Sequence, residues 1–487
     1  MARISLDPAL GVYQSSSRRI SAQECVNMFP KVIETQGSLV RSALFTSPGV
    51  TRVGTAGDGP FRGFELLDDK LYIVSGGSFF RIDSDWTATN LGSISGTGRC
   101  ILASNGTTIA IQVPGGSGYW YDAVNGLVEI TNPVYQGFQA QDGGVLSVAS
   151  KDGYFVFITA FEFFLSDLVT LNGGRGFPEL TFGTAEVKPD KNVTVANIRN
   201  ELYIVGTDTT ELFQNTGAGE TQPFQRIENA TVDKGLAARQ AFIEHLDEYI
   251  FIGGGKQESI SAYRGSPGGT VKISTSAIDD ILSRFTTSEI QSSYAFSFQE
   301  SGNFFAGFTI KDTTIIYDTT SSTLLQRPIW HTRTSSGSSL GQWRVAAVAD
   351  VYAKNVVFDT EDGRIGILSR NYSTEYDEII PRRFSGQYLS NQSAPIMLHE
   401  VEVATDTSEI TEDGQTIKLE ASFDSGKTFS DYGSISIGTL SNPDVRQIWR
   451  RIGRVPYQVV FRVTMNNRDA TNIVQMFVEA EGGSKWI

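Results

Sequence analysis

Hydrophobic and polar positions alternate in short bursts along most of this chain, and the bursts come in pairs. An apolar strand is followed by a Gly- or Asp-rich turn and a second apolar strand in LYIVSGGSFFRID from Leu71, TIAIQVPGGSGYWYDA from Thr108 and YFVFITAFEFFLSDL from Tyr154. The same order returns in LYIVGTDTTELFQN from Leu202, YIFIGGGKQESISAY from Tyr249, FFAGFTIKDTTIIYD from Phe304 and NVVFDTEDGRIGIL from Asn355. Alternation at period two bounded by turn residues predicts antiparallel hairpins. The starts recur every 37 to 55 residues or so, near the length of one four-stranded propeller blade. A further strand precedes some hairpins, as in residues 238–254 and 344–359, so each unit reads as a meander. A meander cannot bury both faces alone, and radial packing of neighbours solves that.

The pattern predicts an all-β chain with an irregular seven-bladed β-propeller over about 52–372. A large irregular β-sandwich, or two stacked β domains, is the competing arrangement. One helix interrupts the array: after Ser274, Thr275 and Ser276, the residues Ile278, Ile281, Leu282 and Phe285 recur at helical spacing, with Asp279 and Asp280 in the first turn. Beyond a Pro- and Arg-containing linker at 373–389, longer alternating strands such as TIKLEASFD and YQVVFRVTM predict a C-terminal β-sandwich at 390–487. Residues 1–51 hold three prolines and little periodicity, and read as an extended N-terminal arm lying on the propeller or on a partner.

Composition sharpens this picture. Among 487 residues, 49 glycines and 11% aromatics suit a β-rich protein with many tight turns. Cys25 and Cys100 are the only cysteines, which excludes a disulfide framework and suits a reducing compartment. The N-terminus has no apolar signal core and no stretch approaches the length of a membrane span, so neither export nor spanning is expected. A formal charge of −14 argues against general gripping of nucleic-acid phosphates.

Chemistry is sparse. His245, His331 and His399 do not stand at ligand spacing, and no nucleophile elbow or P-loop occurs, so no catalytic, cofactor or metal residues are expected. The glycine runs at 115–118, 173–176 and 253–255 sit between strands and read as turns. Asp312, Asp318 and Asp362 lack a calcium-loop ladder. Ser422-Phe423-Asp424-Ser425-Gly426-Lys427-Thr428-Phe429 fits the Asp-box pattern, a device that braces a hairpin turn. Residues 445–468 carry Arg446, Arg450, Arg451, Arg454, Arg462 and Arg468 without an acid. On a regular strand Arg446, Arg450 and Arg454 share one face, and Trp449 and Arg451 the other. These five residues are the candidate interface with an acidic partner surface; a solvated face paired across strands is the alternative.

Several short segments, in order, resemble the packaged-DNA stabilisation proteins of short-tailed phages, the tail-hub or head-completion family. They are Val26-Asn27-Met28-Phe29-Pro30, Gly37-Ser38-Leu39-Val40-Arg41-Ser42, Ser47-Pro48-Gly49-Val50-Thr51, Lys234-Gly235-Leu236-Ala237, the helix from Thr275 to Leu282, and Trp449-Arg450-Arg451-Ile452-Gly453-Arg454. Residues 171–183 have no counterpart in the resemblance. It implies a non-enzymatic virion hub, assembled in the host cytoplasm, present as a homohexamer below a portal-adaptor ring. Such a hub closes the DNA exit, receives a tail needle or plug and tailspikes or fibres, and lets double-stranded DNA pass without sequence-specific binding. The alternative is a glycan-binding or glycan-degrading propeller of a phage tail. It would use paired carboxylates, or exposed aromatics such as Trp86, Trp120 or Tyr121.

Overall fold

In the computed structural model, the described residues are 2–8, 11–14, 21–32, 42–179, 181–185, 188–217, 222–266, 269–335, 341–391, 394–406, 410–440 and 445–482. The segment 37–41 singled out above lies outside them.

Seven antiparallel sheets follow one another along the chain, the first six built around four sequential strands and the seventh around three joined by one from the N-terminal region. Their first long strands are Phe61–Leu67, Ile101–Ser104, Ser147–Lys151, Asn192–Ile198, Phe242–His245, Tyr294–Glu300 and Val345–Val351. These strands converge on one central cavity, to which Gly63, Ala103, Ala149, Ala196, Ile243, Ala295 and Ala347 contribute in turn. Small side chains predominate there because the strands are crowded. A Cβ added at Gly63 would lie 2.6 Å from Leu102 Cδ1 and 2.8 Å from the Cys100 carbonyl oxygen.

Each gap between neighbouring sheets holds its own apolar cluster. Tyr72, Phe79 and Tyr121 fill the gap between sheets one and two, and Trp120, Phe155 and Phe157 the next. The last gap joins Phe61 and Ile73 of the first sheet to Val356 and Phe358 of the seventh. The circuit therefore closes, which defines a β-propeller rather than stacked sheets.

Closure uses the N-terminal region. The fourth strand of the seventh sheet is Gly49–Thr55, paired antiparallel with Arg364–Ser369. Several hairpins after the first strands turn through two left-handed residues, Asp68–Asp69, Leu246–Asp247 and Tyr352–Ala353. That geometry matches the strand twist.

The expected helix is Ser276–Leu282, capped by Thr275, with Ala277 buried and Ile278, Ile281 and Leu282 in the cluster between sheets five and six. Residues 171–179 form a strap between the last two strands of the third sheet. Its Phe177 packs on Trp120 and Tyr135, and its Arg175 pairs with Asp122 of the second sheet at 2.9 Å.

The C-terminal region is a β-sandwich. One sheet contains Ile396–Asp406, Gln447–Val455 and Asn472–Gly482; the other contains Arg382–Ser385, Thr416–Ser422, Ser430–Ser436 and Gln458–Met465. Its core includes Leu6, Val12, Cys25, Met28 and Leu44.

The described residues within 1–51 are therefore not an arm laid on a surface. Ala2–Leu6 pairs with Asn472–Gly482, and the hairpin of Met28–Val32 and Ser42–Thr46 extends the same sheet. Backbone amides left unpaired on a buried segment are costly, and sheet edges satisfy them. Cys25–Val26 lies between the two domains, with Val26 registered against Thr332 of the sixth propeller sheet and Arg383 of the sandwich. One hydrogen-bonded sheet thus runs from propeller into sandwich. The expected linker is also held, since Glu375 registers in parallel with Val50.

Candidate interface on the C-terminal sandwich

The five candidate residues lie on or beside the edge strand Gln447–Val455. Strict alternation would place Trp449 and Arg451 on one face. A bulge prevents it: Arg451 has φ 61°, and the register with the neighbouring strand shifts between Leu398 and Glu400. The bulge turns Arg451 out to solvent and brings Ile452 inward, while Gln447, Trp449 and Val455 keep the inner face. Trp449, registered against Val401, is core, with its Nε1–H donating to the Gly433 carbonyl at 3.0 Å, and it cannot anchor a partner from the surface. Arg450, Arg451 and Arg454 are all exposed.

The apparent lack of acids is made good by neighbouring strands. Arg446 donates to both Glu402 oxygens at 2.8 and 2.9 Å, and Arg3 reaches the same carboxylate at 2.6 Å. Arg450 stands 3.4 Å from Glu400. Arg462 pairs with Glu420 at 2.8 Å and lies 3.7 Å over the Phe429 ring, while Arg468 donates to the Asp377 carbonyl at 3.4 Å. Among the described residues Arg451 and Arg454 form no ion pair. Beside them are two exposed apolar side chains, Met397, which registers against Arg454, and Tyr457 in the following turn. The spacing of arginines along the sequence does not reveal that neighbourhood, because Met397 comes from another strand.

The Asp-box forms the turn between Thr416–Ser422 and Ser430–Ser436. The Lys427 and Thr428 amides and the Thr428 hydroxyl donate to Asp424, while the Ser422 hydroxyl accepts from the Gly426 amide. Those donors, led by the Thr428 hydroxyl, hold the Asp424 carboxyl far below the usual carboxylate range.

The remaining sequence candidates are structural. His245 is buried with Nε2 2.8 Å from the Thr319 hydroxyl, and burial followed by the Arg264 charge lowers it to about 4. Burial and then the Arg333 charge lower His331 to about 3. His399 lies 3.4 Å from Glu481. Trp120 and Tyr121 are core residues, and Trp86 packs edge-on against Tyr352, so Trp120 and Tyr121 offer no stacking platform for sugars. Asp318 caps a short helix through the Ser321 amide, and Asp362 pairs with Arg344 and Arg364. Among the described residues no group of three His, Cys, Asp or Glu is placed to hold a metal ion, and no helix is long and apolar enough to cross a membrane. The central cavity has one carboxylate on its wall, Glu65, and not the facing pair that glycoside cleavage uses.

A closed β-propeller welded to a β-sandwich through its own N-terminal segment is the architecture to which the comparisons with known proteins apply. The family described as "Bacteriophage P22 Gp10, beta-propeller" matches residues 4–373, and the one described as "Bacteriophage P22 Gp10, beta-sandwich" matches residues 381–481. The chain belongs to the bacteriophage P22 Gp10 family of packaged-DNA stabilisation proteins, which are structural phage proteins.

No curated protein sequence matches. Among solved structures, PorZ, a surface component of the type-IX secretion system of Porphyromonas gingivalis, is 10% identical with a TM-score of 0.38, over 74% of this chain and 44% of that chain. The Neurospora crassa Pan2 WD40 domain is 8% identical with a TM-score of 0.40, over 66% and 95%. The N-terminal domain of Nup159 is 11% identical with a TM-score of 0.38, over 72% and 99%. This chain spans less than half of PorZ, and likenesses this low carry no functional inference.

Proposed function

We propose that this protein is a tail hub that docks below the portal-adaptor ring, completes the closed DNA exit and so keeps the packaged genome in, without cutting or modifying anything. The observation that carries the reading is family membership in both domains, in the right order, over nearly the whole chain. The hub is a homohexamer that receives a tail needle or plug and tailspikes or fibres. Its contact surface includes Arg450, Arg451 and Arg454 with Met397 and Tyr457, since arginine beside exposed apolar side chains suits a partner interface.

The cavity inside the propeller holds about 550 Å³ and is crossed by the Arg99 side chain, which reaches the Ala346 carbonyl on the seventh sheet. A duplex, whose major groove alone is roughly 12 Å wide, does not fit such a space. The exit channel therefore runs between copies. The net charge of −14 suits a wall along which phosphates slide without sticking.

Particles lacking the protein should package a genome and then lose it. Nuclease-accessible DNA released over time from mutant heads, with and without added purified protein, measures this. Heads that retain their DNA and fail only at adsorption would replace the reading with receptor binding.

A further inference from the structure

Three arginines line the central cavity, and they are used differently. A guanidinium carries five N–H donors. Arg62 is almost completely buried and commits its donors to backbone carbonyls of Gly98, Gly76, Ile94 and Ser95 at 2.6, 3.0, 3.4 and 2.8 Å. It is a structural cation, saturated by its own surroundings.

Arg99 and Arg239 are not saturated. Arg99 donates one hydrogen bond, from Nη2 to the Ala346 carbonyl at 3.1 Å, and its guanidinium carbon stands 3.6 Å from the Tyr294 ring centroid. Arg239 donates one, from Nε to the Val193 carbonyl at 2.9 Å. Neither stands within ion-pair distance of a carboxylate among the described residues. Both line the same cavity, and Arg239 precedes Gln240, whose backbone bridges Tyr294, the residue beneath Arg99. Burial lowers both cations, Arg99 to about 10, which reflects the cost of holding charge there without a counter-ion. Glu65 lies on the same wall but accepts from the Leu66 amide and pairs with neither arginine; burial raises it to about 7, so near neutrality it is only partly charged. The rest of the wall includes the partly exposed rings of Phe64 and Phe242 and the side chain of Leu102.

We propose that the central cavity is an oxyanion site, in which Arg99 and Arg239 hold the phosphate or carboxylate group of a small molecule whose apolar part lies against Phe64, Leu102 and Phe242. Planar guanidinium forks suit both oxyanions, and the cavity of about 550 Å³ leaves room for a body beyond the charged group. Nothing in this site depends on the hub assembly.

Calorimetric titration of the purified chain with inorganic phosphate, and separately with acetate, tests the proposal and tells the two oxyanions apart. Saturable binding of at least one is expected, with a stoichiometry of one per chain and a raised melting temperature relative to chloride at equal ionic strength. The double variant Arg99→Met with Arg239→Met should bind at least about tenfold more weakly, the loss expected when charge-assisted hydrogen bonds are removed. The exposed control Arg199→Met should bind as the parent does. If the double variant fails to fold, Arg239→Lys keeps the charge without the fork and should still weaken the anion severalfold. Absence of saturable binding by the parent protein, or equal binding by the folded variants, overturns the proposal.

Discussion

The side chain of Asn27 and the backbone of Thr334 exchange two hydrogen bonds: Nδ2 donates to the Thr334 carbonyl at 2.9 Å, and the Thr334 amide donates to Oδ1 at 3.0 Å. The same Nδ2 reaches the Pro381 carbonyl at 2.7 Å. Asn27 is fully buried with φ 54°, a conformation that asparagine tolerates better than most residues. One amide therefore joins the N-terminal segment, the end of the sixth propeller sheet and the entry to the sandwich.

Asn27→Ala should destabilise the protein by about 3 kcal/mol, because it orphans buried backbone groups and places alanine in a left-handed conformation. Urea unfolding measures this. The loss should also separate the unfolding of propeller and sandwich into two transitions.

The interface and core residues of the strand Gln447–Val455 should respond oppositely. Arg450→Glu with Arg451→Glu should leave the melting temperature nearly unchanged and reduce incorporation into tails. Trp449→Ala should cost about 3–5 kcal/mol of stability, the usual penalty for emptying an aromatic core position. Normal incorporation of the arginine variant would remove that surface from the contacts.

His245 gives a pH dependence with a definite sign. Its folded value of about 4 lies below the unfolded value of 6.5, so the unfolded chain binds the proton more readily. Its neutral form stabilises the fold fully above about pH 6.5, and that contribution is lost as the pH falls toward 4. At pH 5 the loss is about 2 kcal/mol. Unfolding of His245→Gln, compared at pH 7.5 and pH 5, should show a smaller difference than the parent protein.

Asp424 acts in a lower window. Its depressed carboxyl stabilises the Asp-box turn above the unfolded value of about 4 and loses that contribution as the pH falls through the folded one. Asp424→Ala should lower stability at neutral pH and flatten the acid limb of the stability curve below pH 4. Parallel acid limbs for variant and parent would show that the carboxylate contributes nothing to the turn.

The sequence alone determined the hairpins, the Asp-box turn and the helix Ser276–Leu282, because each depends on residues close together in the chain. Period-two alternation, a carboxylate facing nearby turn amides, and apolar positions at helical spacing are local signals. The all-β architecture followed from their repetition.

Tertiary structure alone decided how the ring closes and where the described residues among the first fifty go. The pairing of Gly49–Thr55 with Arg364–Ser369, and of Ala2–Leu6 with Asn472–Gly482, joins segments from opposite ends of the chain, and alternation within one strand does not name a distant partner. The bulge at Arg451 turned that side chain to solvent although it stands two residues from the buried Trp449, because an inserted residue breaks the period-two alternation. The cavity arginines carried no motif at all: Arg99 and Arg239 come from different sheets and line one cavity only when radial packing brings their strands to a common axis.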